Sequence, residues 1–306
     1  MKKHLIFFLV MIFGIGVVFA QDEEATPKKK KKDKPVSEVY SSGLLIDMQT
    51  CVIPAKKTLE MQIMHRFGLI KDNGVKDLWG VYAPSANTRM GLNYSILDNL
   101  VVGYGITRKN MYSDFQIKYN VLEQTRKNTI PVTVTLYANM AIDGRNKDVF
   151  NTATADSAYK FINRLSYFTE VQVTRKFADW FTFSVSGNFT HFNAVKADTI
   201  HTGVRGMNHD IIGVGFMGRF KFSPQSSIVF HYTIPLDIKS ISENSQVTNK
   251  PKPNFGIGYQ VATATHAFEV FITTSNSIIP QDTYMYNNSE WGDFRIGFNI
   301  TRMWGF

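Results

Sequence analysis

Through most of this chain, apolar and polar residues alternate one for one in segments about ten residues long. In "DWFTFSVSGNFT", Phe181, Phe183, Val185 and Phe189 share one side, and Thr182, Ser184, Ser186 and Asn188 share the other. "SSIVFHYTIPL" repeats the pattern with Ile228, Phe230, Tyr232, Ile234 and Leu236. "GDFRIGFNITRMWGF" does so with Phe294, Ile296, Phe298, Ile300, Trp304 and Phe306. Period two belongs to the β-strand, whose successive side chains point to opposite faces. Helical periodicity is scarce. Beyond residue 20 no stretch reaches the roughly 18–20 continuous apolar residues of a spanning helix. The chain is therefore predicted to be all-β.

The alternation predicts about twelve strands, at 57–68, 85–96, 99–108, 112–122, 131–142, 162–176, 180–190, 209–222, 226–236, 253–262, 266–274 and 293–306. Apart from the pair 109–111 and 123–130, the connections alternate between long and short. Outer-membrane barrels combine an even strand number with short periplasmic turns and longer extracellular loops. The expected fold is a closed antiparallel up-and-down transmembrane β-barrel of about 12 strands, within about 10–14, with both termini periplasmic. A soluble lipocalin-like barrel or a sandwich would turn the charged face outward and fill its core with Phe. Nothing in such a fold would segregate the connections by length.

In lipid every backbone group must be paired, so the sheet must close, with its apolar face outward and its polar face lining a lumen. The residues predicted to line it are Glu60, Arg66, Arg89, Asp114, Lys118, Arg164, Glu170, Lys176, Arg219, Lys221, Glu269 and Arg295. Eight of these are cationic and four anionic, so a pore would mildly prefer anions. Paired across the lumen, the same charges would block it. Trp180, Trp304 and Phe306 fall near strand ends, where an aromatic girdle belongs.

Lys2 and Lys3, the apolar run "HLIFFLVMIFGIGVVF" and Ala20 before "QDEE" have the pattern of a cleaved signal peptide, residues 1–20. Residues 21–42 follow as a disordered, Lys-rich periplasmic arm with six lysines within 28–34, and 43–306 form the barrel domain. Residues 1–35 hold eight Lys against four Asp or Glu, which is +4 of the formal +9. The rest of the chain is only mildly basic, and on an exported protein the lysine run is no nucleic-acid signal. Such an arm could touch anionic periplasmic groups or a periplasmic partner, enter the lumen as a plug, or serve as a tether. The single cysteine, Cys51, excludes an intramolecular disulfide framework.

"LEMQIMHRFG" (59–68), "SANTRMGLNYSILDNLVVGYGITR" (85–108) and "FQIKYNVLEQ" (115–124) followed by "PVTVTLY" resemble an uncharacterised family. It is a domain of unknown function described as a membrane-bound β-barrel and typical of Bacteroidota outer membranes. His65-Arg66-Phe67-Gly68 with Gly103-Tyr104-Gly105 carries the most specific part of the likeness. The resemblance implies architecture and an outer-membrane location, with no substrate or catalytic residue to transfer. The last strand, through Phe298, Trp304 and Phe306, also resembles the aromatic-ended signal read by barrel-assembly machinery. Arg302 departs from that pattern, at a cost limited by snorkelling.

Catalytic signatures are missing: there is no G-x-S-x-G elbow, no H-E-x-x-H and no P-loop. "GYGITRKN" lies within an alternating strand, so its glycines are read as easing close packing or curvature. His191, His201 and His209 with Asp198 and Asp210 crowd one predicted loop, but their irregular spacing fixes no metal geometry. His231 faces inward without an evident Ser and Asp pair for a lipase. No enzyme activity, cofactor or metal is expected. The leading expectation is a pore or transporter for small solutes through a charged lumen. The alternatives are a surface platform of long loops over a blocked lumen, an outer-membrane lipid-modifying enzyme, and a soluble periplasmic lipocalin-like binder. Outer-membrane lipid and the assembly machinery are the expected partners.

Overall fold

The computed structural model describes residues 33–150, 159–195, 206–238 and 249–306, the side chains of 72 and 73 excepted. The predicted signal peptide, lysines 28–32, Asp198 and His201 lie outside the described residues. The strands are β1 (Leu44–Leu45), β2 (Met48–Gln49), β3 (Thr58–Leu69), β4 (Asn87–Leu97), β5 (Leu100–Thr107), β6 (Tyr112–Leu122) and β7 (Thr133–Ile142). Then come β8 (Leu165–Ala178), β9 (Phe181–Phe192), β10 (Asp210–Lys221), β11 (Ser226–Leu236), β12 (Asn254–Ala262), β13 (His266–Thr273) and β14 (Arg295–Gly305).

Strands β3 to β14 close a twelve-stranded barrel, each antiparallel to its neighbour in the chain. At the seam β14 meets β3, pairing Phe298 with His65, Ile300 with Ile63 and Trp304 with Leu59. The Phe306 amide donates to the Lys57 carbonyl at 3.1 Å, so the seam is bonded to its last residue. The closed wall, β3 to β14, leaves no strand edge to be satisfied.

The two faces are inverted relative to a water-soluble protein. Along β3 the buried positions are Thr58, Glu60, Gln62, Met64, Arg66 and Gly68. The exposed side carries a belt of large apolar residues, including Leu92, Ile117, Leu136, Val171, Phe189 and Phe268. Such a belt is too large for a surface in water, while lipid-facing strands require one. No described helix is long and apolar enough to cross a membrane; the strands are the spanning elements.

One end of the barrel, the turn end, carries the short connections 98–99, 179–180, 222–225 and 263–265. The other, the loop end, carries 70–86, 193–209, 237–253 and 274–294. The predicted break in alternation has a physical cause. The 123–132 connection lies at the turn end but is longer than its neighbours, because it clamps the incoming N-terminal segment. Pro35 bridges Thr125, and the Val36 amide donates to the Gln124 carbonyl at 2.8 Å. Of the residues expected in a disordered arm, 34–38 are bonded at the turn-end mouth and 39–42 enter the lumen, and 43–54, expected in the barrel domain, stand inside the wall rather than in it. Their apolar side chains find partners there that a free arm would lack.

Gly103 and Gly105 make room inside the lumen. A Cβ on Gly105 would collide with the Arg89 guanidinium, and one on Gly103 would collide with Asn93 and lie 2.9 Å from Gln116. Both glycines are on the lumen side of β5, while Tyr104 between them is exposed on the outside. The glycine pair lets Arg89 of β4 lie across β5 and reach Asp114 on β6.

Candidate functional site: the occupied lumen

A hairpin of the N-terminal segment enters the lumen from the turn end, and its tip reaches Asn254 and Thr273 at the loop-end limits of β12 and β13. β1 and β2 pair Leu44 with Gln49 and Leu45 with Met48, leaving Ile46 and Asp47 at the tip. Ile46 has φ of 51°, which is unusual for a β-branched residue and is held here by its surroundings. Its amide donates to Glu269 at 3.0 Å, and its carbonyl accepts from Asn299 at 2.8 Å and Arg66 at 3.0 Å.

Asp47 is the polar anchor. Its Oδ1 accepts from Arg66 Nε at 2.9 Å and Nη2 at 2.6 Å. Its Oδ2 accepts from Asn254 at 3.0 Å and from the Thr273 hydroxyl at 2.8 Å, with His231 Nε2 at 3.6 Å. Both members of the Asp47–Arg66 pair are almost completely shielded, and Arg66 also lies 4.4 Å above the Phe271 ring. Burial alone would raise the Asp47 carboxyl. The Arg66 charge, with His231 and Asn254, outweighs it and holds the group below the usual carboxylate range. His231 thus acquires an acidic neighbour from the hairpin, one that its own strand gave no sign of.

Further contacts hold the rest of the segment. Lys118 donates to the carbonyls of Gly43 at 3.0 Å and Val52 at 3.3 Å. Arg219 donates to the Ser41 hydroxyl at 2.9 Å and the Glu38 carbonyl at 2.6 Å, and Lys221 pairs with the Glu38 carboxylate at 2.5 Å. Lys176 reaches the Ser37 carbonyl at 3.1 Å and Asp179 at 2.8 Å. Apolar packing adds Tyr40, Leu45, Ile46, Met48 and Cys51 against Met217, Val229 and Phe271. The Cys51 thiol lies against Thr174, and burial pushes it up to about 11.

From the loop end, segment 274–294 folds inward around a short helix, Pro280–Tyr286. Tyr284 stacks on Phe168 at 5.7 Å, Gln281 donates to Asn139 at 2.7 Å, and Tyr112 donates to Asp282 at 2.9 Å. Ile278 packs with Leu44 of the hairpin and Met64 of the wall. Between hairpin and loop remains a cavity of about 30 Å³, bordered by Asp47, Arg89, Gln116, Glu170 and Tyr284. That is room for about two water molecules. Hairpin and loop meet across the lumen where Ile278 packs on Leu44.

Of the residues assigned to the lumen from sequence, Glu60, Arg66, Arg89, Asp114, Lys118, Glu170, Arg219, Glu269 and Arg295 are buried, and Lys176 and Lys221 are half-buried near the turn end. Arg164 is not on the wall. It lies in the turn before β8 and donates to the carbonyls of Asp143 and Arg145. The wall carboxylates are served mainly by the wall itself: Asp114 by Arg89, Glu60 by Gln62 and Asn93, Glu269 by Gln260 and Asn299. Sequence reasoning missed Asp47, Asn254, Thr273 and Tyr284. The one available signal was the carboxylate inside the otherwise apolar "GLLIDM". Among the described residues no cluster of three or more His, Cys, Asp or Glu could hold a metal ion. His191, Asp210 and Asn193 form a small hydrogen-bonded group at the loop end.

A closed up-and-down sheet, apolar outside and polar within, defines a membrane-spanning β-barrel. Residues 40–304 match the membrane bound beta barrel domain family DUF5777, and the chain belongs to that family. No curated protein sequence matches it. Among solved structures, it is similar to the NanC porin, at 9% identity and a TM-score of 0.49, over 80% of this chain and 98% of that one. The COG4313 outer membrane channel from Pseudomonas putida F1 gives 12% and 0.48, over 83% and 97%. The KdgM porin gives 4% and 0.43, over 81% and 99%.

Proposed function

We propose that this protein is an outer-membrane channel for small solutes, kept closed by its own N-terminal hairpin, with the turn end in the periplasm. The observation that carries this reading is the manner of closure. The wall is polar around its inner circumference, and it is filled by an inserted segment rather than by its own side chains. The segment enters beside Thr125 and leaves at Lys56, whose amide donates to Asp98 in the 98–99 turn. Both ends of the stopper therefore lie at one mouth, so it can slide out as a loop without unthreading. The inward loop 274–294 is a second constriction in series.

A second reading is a platform whose lumen stays blocked, favoured by the apolar cluster that joins the hairpin to Met217, Val229 and Phe271. Bilayer conductance separates the two. Asp47→Asn combined with Tyr284→Ala is expected to give discrete current steps. Adding Thr174→Cys should abolish them under oxidation, by linking Cys51 to the wall, and dithiothreitol should restore them. Silence of the full chain and of both opened variants in reductant would overturn the channel reading.

A further inference from the structure

Resting on the channel reading, we infer that the opened lumen is selective for anionic solutes, because leaving the lumen strips the hairpin's atoms from five wall cations, whereas among the wall's anions Glu269 gives up one hairpin donor, the Ile46 amide, and keeps its wall partners. Arg66 loses its charge partner Asp47. Lys118 loses the Gly43 and Val52 carbonyls. Arg219 loses the Ser41 hydroxyl and the Glu38 carbonyl, Lys221 loses the Glu38 carboxylate, and Lys176 loses the Ser37 carbonyl.

The anions behave differently. Asp114 keeps Arg89 and Asn139, Glu60 keeps Gln62 and Asn93, and Glu269 keeps Gln260 and Asn299. Glu170 stays beside the Ser186 hydroxyl of β9. The hairpin itself takes two carboxylates, Glu38 and Asp47, out of the lumen. What remains has a direction: Lys176, Arg219 and Lys221 stand at the turn-end mouth, Lys118 deeper, and Arg66 near the loop-end half of β3. Cations spaced along a narrow, low-dielectric passage focus its field on anions. The hairpin carbonyls and carboxylates that now meet these side chains occupy places a carboxylate or phosphate oxygen would take. The solute class is thus small carboxylates or phosphates, which share the chemistry of an anionic oxygen.

The test is the reversal potential of the opened full-length variant, Asp47→Asn with Tyr284→Ala, across a potassium chloride gradient. Permeability of chloride over potassium is expected to exceed unity, and phosphate added on the turn-end side should reduce the chloride current. Adding Lys118→Gln and Arg219→Gln should bring the ratio toward unity while openings become more frequent. A merely structural role for these cations would change the frequency alone. Steps with a ratio at or below unity, or a ratio unmoved by the two substitutions, would overturn anion selection and leave the channel reading standing. A bilayer that stays silent would overturn both.

Discussion

Replacing Asp47 by Asn removes one charge at nearly constant shape from an almost completely shielded ion pair. Arg66 then remains buried without a counter-charge, and the Asn amide turns a donor toward Asn254 or the Thr273 hydroxyl, both of which now donate to Oδ2. Breaking one partner of a buried pair costs about 3–5 kcal/mol. Because the barrel wall is otherwise bonded to itself, that loss falls on the seating of the hairpin. It raises the unseated fraction by roughly 10²- to 5 × 10³-fold.

The protein carries its own reporter, since its single cysteine, Cys51, is buried on the returning limb of the hairpin. While reseating outpaces modification, the labelling rate by a soluble maleimide tracks the unseated fraction. Asp47→Asn should therefore label about 10²-fold faster or more than the parent protein at the same pH, with heat-modifiable gel migration unchanged. Pairing Asp47→Leu with Arg66→Met should restore much of the protection, because an apolar pair of similar volume carries no desolvation penalty. Equal labelling of Asp47→Asn and the parent, with both barrels intact, would refute the assignment of Asp47 as the anchor.

Acid should also release the hairpin. The folded Asp47 value is depressed, so its contribution is complete above the unfolded value of about 3.9 and is lost as pH falls through the folded one. Opening frequency should stay flat from neutral pH down to about 5 and rise only below about 4, and a rise near neutral pH would point to another group. Gly105→Val should displace Arg89 from Asp114 and lower the thermal unfolding midpoint in detergent, at a cost of about 1–3 kcal/mol. Gly187→Ala meets nothing within 4 Å and should leave that midpoint unchanged or slightly raised. Tyr284→Ala should enlarge the current steps of Asp47→Asn while leaving the parent closed, since the two obstructions act in series.

The wall was legible because its chemistry repeats. A strand between lipid and a polar lumen must alternate, and the expected span 226–236 is the observed β11 residue for residue. So is 112–122, the observed β6, and the other ten wall strands differ from expectation by three residues or fewer at either end. The hairpin was illegible for the opposite reason. Leu44, Leu45, Ile46 and Met48 are buried on all sides, by the wall and by one another, so no period survives in their sequence. Arg164 was misplaced by the same logic in reverse: it extends an alternating run by one position into a turn, where carbonyls of the 143–164 connection hold it. Lumen charges could be named from their strands, but their partners could not, because Asp47 lies 19 residues from Arg66 and 226 from Thr273. Those separations decide what the lumen does. A cation paired with its own wall fills space permanently, whereas one paired with a segment that enters and leaves by a single mouth is a site held in reserve. The distinction is invisible to any count of charges along the strands, and it turns the excess of cations on the wall from a mild bias into a sequence of sites.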